Sequence, residues 1–92
     1  MARKKELIDK KAKKRLEGNC RFCGEDDYAL LDVHRIVEGA DGGRYTQMNT
    51  VVACANCHRR CHDGQIKIDR YYFSTSGKWL LRCWIDDEEK WL

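Results

Sequence analysis

The chain has 92 residues, 42% of them hydrophobic, and its 18 Lys and Arg against 15 Asp and Glu give a formal net charge of +3. A core of this size is marginally stable unless something cross-links it. No apolar run approaches the ~18 residues that a membrane span requires, and no apolar stretch follows the basic start as in a secretory signal. We therefore expect a cytoplasmic protein of one domain, residues 1–92, with no membrane partner.

The positive charge is concentrated at the start of the chain. Residues 1–17 carry eight Lys and Arg against three Asp and Glu. Nothing between Arg3 and Glu17 breaks a helix, and Gly18 ends it, so we predict a helix over 3–17 within a basic arm of residues 1–18. Such an arm suggests a polyanionic partner, most simply nucleic acid, although a plain solvated charged face is the alternative. The candidate DNA contacts on the arm are Lys4, Lys5, Lys11, Lys14 and Arg15.

Four of the six cysteines form two CxxC pairs with 30 residues between them. The pairs are Cys20 with Cys23, and Cys54 with Cys57. Zn²⁺ takes four soft ligands in a tetrahedron, and each CxxC turn supplies two thiolates. Disulfides, buried thiols or a redox pair are the alternatives, but reduced, clustered thiols more often bind metal. We predict one structural zinc ion, with Cys61 and Cys83 as small buried residues unless Cys61 competes for a zinc position.

The rest of the chain alternates between strand and helix patterns, which indicates an α+β fold. We predict strands over 29–37 and 50–53, separated by a glycine-rich loop over 38–49, and then a helix over 55–63. Two further strands, over 65–73 and 78–85, form a hairpin, and the acidic tail after them is solvated charge.

All three histidines fall on these elements. His34 lies at the end of the first strand, and the i, i+4 spacing places His58 and His62 on one face of the helix. Asp32 shares a strand face with His34 and could accept its second N–H or join the ligand set. The three imidazoles could therefore hold one metal ion, although scattered histidines are also common as surface residues.

The stretch from Cys20 to Gly64, 45 of the 92 residues, resembles the HNH (ββα-metal) nuclease family, in the version with a zinc-binding CxxC before and after the motif. The matching positions are Cys20-x-x-Cys23, Leu31-Asp32-Val33-His34-Arg35-Ile36-Val37, Gly42-Gly43, Asn49-Thr50-Val51-Val52, Cys54-x-x-Cys57-His58 and His62. Small free-standing proteins of this family are frequent in phages and mobile elements.

The resemblance implies two strands and a helix that grip one catalytic divalent metal beside the structural zinc. By position, His34 and His58 would ligate that metal, His62 would be a third ligand, and Asn49 would tie the loop between strand and helix. Imidazole ligands favour Mn, Ni, Co or Zn over Mg. The zinc set would be Cys20, Cys23, Cys54 and Cys57.

One position departs from the family pattern. The family usually has a second histidine directly after the first metal ligand, as the general base for the attacking water, and here Arg35 occupies that place. Because an arginine side chain keeps its proton, Arg35 cannot serve as the base and instead suits a clamp on the scissile phosphate. Tyr45, in the loop facing the site, is the first candidate base, although ordinary loop packing explains it equally well. Further candidate phosphate contacts are Arg44, Arg59 and Arg60.

These observations favour a metal-dependent DNA endonuclease, acting as a monomer or a homodimer. The main rival is a non-catalytic, zinc-stabilised nucleic-acid-binding module. A third class, a zinc-stabilised protein-interaction domain, would use the aromatic hairpin side chains, which are more often simply the core of so small a domain.

Overall fold

The protein has the α+β arrangement that the sequence predicts. The computed structural model describes residues 7–92. In chain order the helices and strands are α1 (Lys10–Glu17), β1 (Leu31–Arg35), β2 (Thr50–Cys54), α2 (Ala55–His62), β3 (Ile66–Phe73), β4 (Trp79–Ile85) and β5 (Glu88–Trp91). β1 and β2 form one sheet, and β3, β4 and β5 form a second. Within residues 7–92, no helix has the length and apolar character to cross a membrane.

The sheet of β1 and β2 positions the histidines. The two strands pair antiparallel, with Asp32 opposite Ala53 and His34 opposite Val51. All five residues of β2 are buried, which makes this apolar strand the centre of the core, and α2 begins directly after it. Cys54, directly before α2, lies opposite Leu31 at the start of β1, and the later residues His58 and His62 of α2 meet His34 near the end of β1.

Most predicted bounds are correct to within one residue, but β1 is shorter than the predicted 29–37. A 3₁₀ turn at Tyr28–Leu30 replaces its first residues. At the other end, the backbone N–H groups of Ile36 and Val37 bond to Asn49, at 2.8 Å in both cases, instead of to a partner strand. The strand therefore stops where Asn49 accepts these hydrogen bonds, from Ile36 through its backbone carbonyl and from Val37 through its side-chain oxygen.

The predicted helix over 3–17 is wrong for residues 7–9, and its first residues, 3–6, lie outside the described part of the chain. α1 begins only after Asp9, whose carboxylate accepts hydrogen bonds from the first turn and caps the helix. Before it, Leu7 pairs with Thr46 as an isolated β-bridge. At the other end Gly18, with a φ of 75°, closes α1 as predicted.

α1 is anchored to the core by a buried lysine. Lys13 is only 4% exposed, and its ammonium group donates to the carbonyls of Gln47 and Thr50 and to the hydroxyl of Thr50, at 2.9–3.1 Å. All three ammonium protons therefore have an acceptor, which offsets the cost of burial. That burial lowers the pKa of Lys13. α1 is thus an integral part of the fold.

The acidic tail forms a strand, whereas the sequence analysis predicted solvated charge. Asp86 and Asp87 adopt positive φ angles of 51° and 67°, and this two-residue turn reverses the chain so that β5 pairs with β4. Two successive left-handed residues are typical of a tight hairpin turn, in which Asp is one of the favoured residues. β5 is charged because it is an edge strand with little to bury.

Candidate active site

The four cysteines of the two CxxC pairs converge on one point, with their Sγ atoms within 4.8 Å of one another. The first pair lies in a turn closed by the N–H of Gly24, which bonds to the carbonyl of Cys20 at 3.0 Å. The second pair starts α2, where Cys54 is the N-cap and its Sγ accepts from the N–H of Cys57 at 3.4 Å. Each turn therefore presents two sulfur atoms to the same point.

The environments of these sulfur atoms differ: the pKa of Cys20 is lowered, whereas the pKa values of Cys23 and Cys57 are raised, that of Cys57 by burial. Burial acts to raise the pKa of Cys20, but backbone N–H donors outweigh it and lower the pKa to about 7. Two of those donors belong to Phe22 and Cys23, whose nitrogens lie 3.4 and 3.5 Å from the Cys20 sulfur. Four convergent sulfur ligands of this kind could hold a zinc ion, as the sequence predicts.

The two remaining cysteines lie outside this cluster. Cys83 is fully buried, and Cys61 is partly buried, with burial raising its pKa to about 11. All six cysteines lie in the described part of the chain, and none forms a disulfide. The sequence left open whether Cys61 competes for a zinc position. In the structure the cluster consists of the two CxxC pairs, without Cys61.

A second convergent cluster is formed by His34 from β1 and by His58 and His62 from α2. Their ligand nitrogens also lie within 4.8 Å of one another, and the ring centroids are 4.9–5.3 Å apart. Burial, together with the nearby positive charge of the other two histidines and Arg35, lowers the pKa of His34 to about 4. The imidazole of His34 is therefore neutral near pH 7, and the lone pair on its unprotonated ring nitrogen is available to a metal ion.

The orientation of His58 is fixed by Asp32, which the sequence analysis instead paired with His34. The Nδ1 atom of His58 lies 3.2 Å from the Asp32 carboxylate. A carboxylate only accepts hydrogen bonds, so Nδ1 donates and the lone pair of the neutral ring resides on Nε2. That Nε2 lies 3.1 Å from Nε2 of His62. Carboxylates often orient metal-binding histidines in this way, and the donor set fits a divalent transition metal.

Asn49 joins the two ends of the loop between β1 and β2. Its side-chain oxygen accepts from the N–H of Val37 at 2.8 Å, and its side-chain nitrogen donates to the carbonyls of Val37 and Arg44 at 3.0 and 2.8 Å. Gly43 packs against the same point, since a Cβ atom placed there would lie 1.6 Å from the Val37 carbonyl oxygen. These contacts fix the loop beside the histidines.

Arg35 lies in a cleft of about 520 Å³ that is also lined by the three histidines and Tyr45. Its guanidinium carbon lies 4.5 Å from the centre of the Tyr45 ring. Among the described residues, Arg35 forms no ion pair and no side-chain hydrogen bond, so its donors are free. The cleft thus combines a possible metal site with an unneutralised cation.

The other predicted DNA contacts differ in their availability. Lys11, Arg15, Arg44 and Arg59 are exposed. The ammonium group of Lys14 donates to the carbonyl of Leu31 at 3.1 Å, and Arg60 bonds to Gln65 and Asp86, so both already have partners within the molecule. Lys4 and Lys5 lie outside the described residues.

Three residues near the cleft were missed by the sequence analysis: Glu38, Gly39 and Lys10. Glu38 and Gly39 line the cleft directly, and Lys10 lies 3.7 Å from the centre of the Tyr45 ring. The glycine-rich composition of the loop was the only signal for the first two. Nothing in the spacing of the arm lysines distinguishes Lys10 from its neighbours.

The segment that contains both ligand clusters matches a known protein family. A family model described as HNH endonuclease matches residues 20–64. This segment belongs to the HNH family. Both ligand clusters and Arg35 lie within the HNH segment, and the arm and the three-stranded sheet lie outside it. Membership supports a nuclease-type function in general.

Two similar proteins extend the comparison. Over 53 residues the chain is 36% identical to the type IV methyl-directed restriction enzyme EcoKMcrA of Escherichia coli (strain K12), covering 50% of this chain and 19% of that enzyme. Over 77 residues it is 27% identical to anaredoxin of a Nostoc species, covering 79% of this chain and 100% of that protein. The chain thus spans about a fifth of the restriction enzyme's length. No solved structure matches it.

Proposed function

We propose that this protein is a metal-dependent DNA endonuclease that hydrolyses phosphodiester bonds at a single-metal site. The observation that carries the proposal is the convergence of three imidazoles, from His34, His58 and His62, in one open cleft beside the guanidinium of Arg35, which has no ion-pair partner among residues 7–92. A divalent metal held by these histidines would supply Lewis-acid polarisation of the scissile phosphate and of the leaving 3′ oxygen.

The side chains of this protein have three tasks in that reaction. Arg35 donates hydrogen bonds to the phosphate, whose negative charge increases as the water oxygen attacks phosphorus. Asn49 holds the loop that carries Tyr45 in register with β1. As the new P–O bond forms, the bond from phosphorus to the 3′ oxygen breaks, the water loses one proton to a base, and the leaving oxygen takes one from solvent. Tyr45 is the first candidate for that base, followed by Asp32 and His62.

A plasmid assay tests the proposal against its main rival. The zinc-loaded protein is incubated with supercoiled plasmid and, separately, Mn²⁺, Ni²⁺, Co²⁺, Zn²⁺ or Mg²⁺, with DNA binding measured in parallel. Nicked or linear product that depends on the added metal supports the endonuclease. A single site cuts one strand, so linear product early in the reaction would indicate a homodimer. The rival is a nucleic-acid-binding module, and the presence of Arg35 in place of the usual histidine favours it. Under that rival, the protein should bind the plasmid and never cut it with any metal.

Replacement of Arg35 separates the clamp from the base. We expect Arg35→Ala to reduce the cleavage rate by about 10²–10³, the loss typical of removing one preorganised charge donor, with DNA binding nearly unchanged. Arg35→His restores the usual family base and removes the clamp. If Tyr45 is the base, Tyr45→Phe slows the parent strongly but has a much smaller effect in the Arg35→His background. Cleavage by Tyr45→Phe at the parental rate would move the assignment to Asp32 or His62.

The exposed face of α1 is expected to contact DNA phosphates. Because Lys13 anchors α1 in the core, deletion of the arm would disturb the fold, and we propose the double substitution Lys11→Gln and Arg15→Gln instead. The slope of log Kd against log salt concentration should fall by about 0.9 for each lost phosphate contact, equally for all DNA sequences. Lys78→Gln, at the exposed hairpin turn, is the matched control. An unchanged slope in the double variant would mean that this face of α1 does not contact DNA phosphates and is only a solvated surface.

A further inference from the structure

The guanidinium of Arg35 lies close to two surfaces. One is the ring of Tyr45, whose centre is 4.5 Å from the guanidinium carbon. The second is the backbone at Gly39, where a Cβ atom would lie 2.7 Å from one terminal nitrogen of Arg35 and 3.3 Å from its guanidinium carbon. We call this space the Arg35 slot. Only glycine leaves it open without displacing the arginine.

The Tyr45 side of the slot is supported by α1 and the residues before it. The ammonium group of Lys10 lies 3.7 Å from the centre of the Tyr45 ring, so two cations contact one ring. The carbonyl of Tyr45 accepts from the N–H of Ile8 at 2.8 Å, and the neighbouring Thr46 pairs with Leu7. The ring is therefore held from outside the HNH segment.

An arginine side chain is normally fixed by a carboxylate, which also neutralises it. Arg35 is held by a ring and a backbone surface instead, so its position is restricted while its charge and its donors stay available to a phosphate. We propose that Tyr45 is a positioning residue, whose ring forms with Gly39 a slot that holds Arg35 for the scissile phosphate. This role rests on the endonuclease function proposed above. It belongs to the ring of Tyr45 and is independent of any role of the hydroxyl as a base.

Kinetics test the ring separately from the hydroxyl. Tyr45→Phe removes the hydroxyl and keeps the ring, and Tyr45→Leu removes both. We expect kcat of Tyr45→Leu to lie about 10–100-fold below that of Tyr45→Phe, the loss typical of a misplaced catalytic group, with KM changed little. In the Arg35→Ala background this ratio should fall to about one, because the ring acts only through Arg35. Gly39→Ala, which places a methyl group against the Arg35 guanidinium, should lower kcat in the parent protein. It should have no such effect in the Arg35→Ala background. A ratio that stays unchanged without Arg35 would overturn the proposal.

A second measurement does not depend on cleavage. In ¹⁵N-labelled, zinc-loaded protein, the Nε–H group of Arg35 should give a heteronuclear NOE close to that of the backbone, whereas the exposed Arg59 gives the low value of a mobile side chain. Tyr45→Phe should preserve the Arg35 value, and Tyr45→Leu should lower it to that of Arg59. An Arg35 as mobile as Arg59 in the parent protein would overturn the slot. If the parent never cleaves DNA, the endonuclease proposal fails while this measurement still decides the slot.

Discussion

Removal of zinc is expected to unfold the protein. The four cysteine sulfurs join the start of α2 to the turn before β1. The hydrophobic cluster around them contains only a few buried side chains. Structural zinc in small domains contributes about 10–16 kcal/mol of apparent binding free energy, as much as the whole stability of a typical domain. A strong chelator should therefore abolish the folded circular dichroism signal, and Cys23→Ser or Cys54→Ser should give unfolded or insoluble protein.

Cys61→Ser is the matched control for these substitutions. Cys61 lies on α2, like Cys57, but its sulfur is outside the cluster of four. This variant should keep one zinc ion per chain by elemental analysis and melt within a few degrees of the parent. A metal-free protein that melts like the zinc-loaded one would show that the cluster does not stabilise the fold.

Loss of the histidine cluster is expected to abolish cleavage without unfolding the protein. His34→Ala and His58→Ala each remove one imidazole from the proposed catalytic site and leave all four cysteines in place. We expect no product above background with any divalent metal, an unchanged zinc content, and loss of the second metal equivalent in a calorimetric titration. Either variant cutting at the parental rate would exclude the single-metal site proposed above.

Asp32 provides a graded variant at the same site. Because its carboxylate orients His58 without belonging to the ligand cluster, Asp32→Asn should weaken binding of the second metal by about 10–100-fold and not abolish it. Cleavage should recover as the metal concentration is raised, which a ligand substitution would not allow. An unchanged metal affinity would mean that the contact between Asp32 and His58 does not matter for the site.

The parts of the fold that the sequence predicts well are those determined by local patterns. The buried run of β2, the CxxC turns and the i, i+4 histidines of α2 each depend on residues close together in the chain, and their positions follow from the spacing alone. β5 could not be predicted, because its charged residues have low strand propensity and it forms only by pairing with β4 beyond the turn at Asp86 and Asp87.

The least predictable features depend on contacts between distant segments. The partner of Asp32 depends on how α2 packs against β1, and the sequence allowed His34 equally well. The slot around Arg35 requires Gly39, Tyr45 and Lys10 of α1 to meet, which no spacing rule specifies. Among the arm lysines, nothing in the sequence marks Lys13 as the buried one, since its neighbours have the same charge and length.

That burial gives Lys13 a distinct chemical reactivity. An amine-acylating reagent attacks the unprotonated nitrogen of an accessible lysine, and the Lys13 nitrogen is shielded while all three of its protons are engaged. Exposed arm residues such as Lys11 have no such protection. The extent of labelling at position 13, relative to position 11, therefore reports how often α1 leaves the surface of the domain.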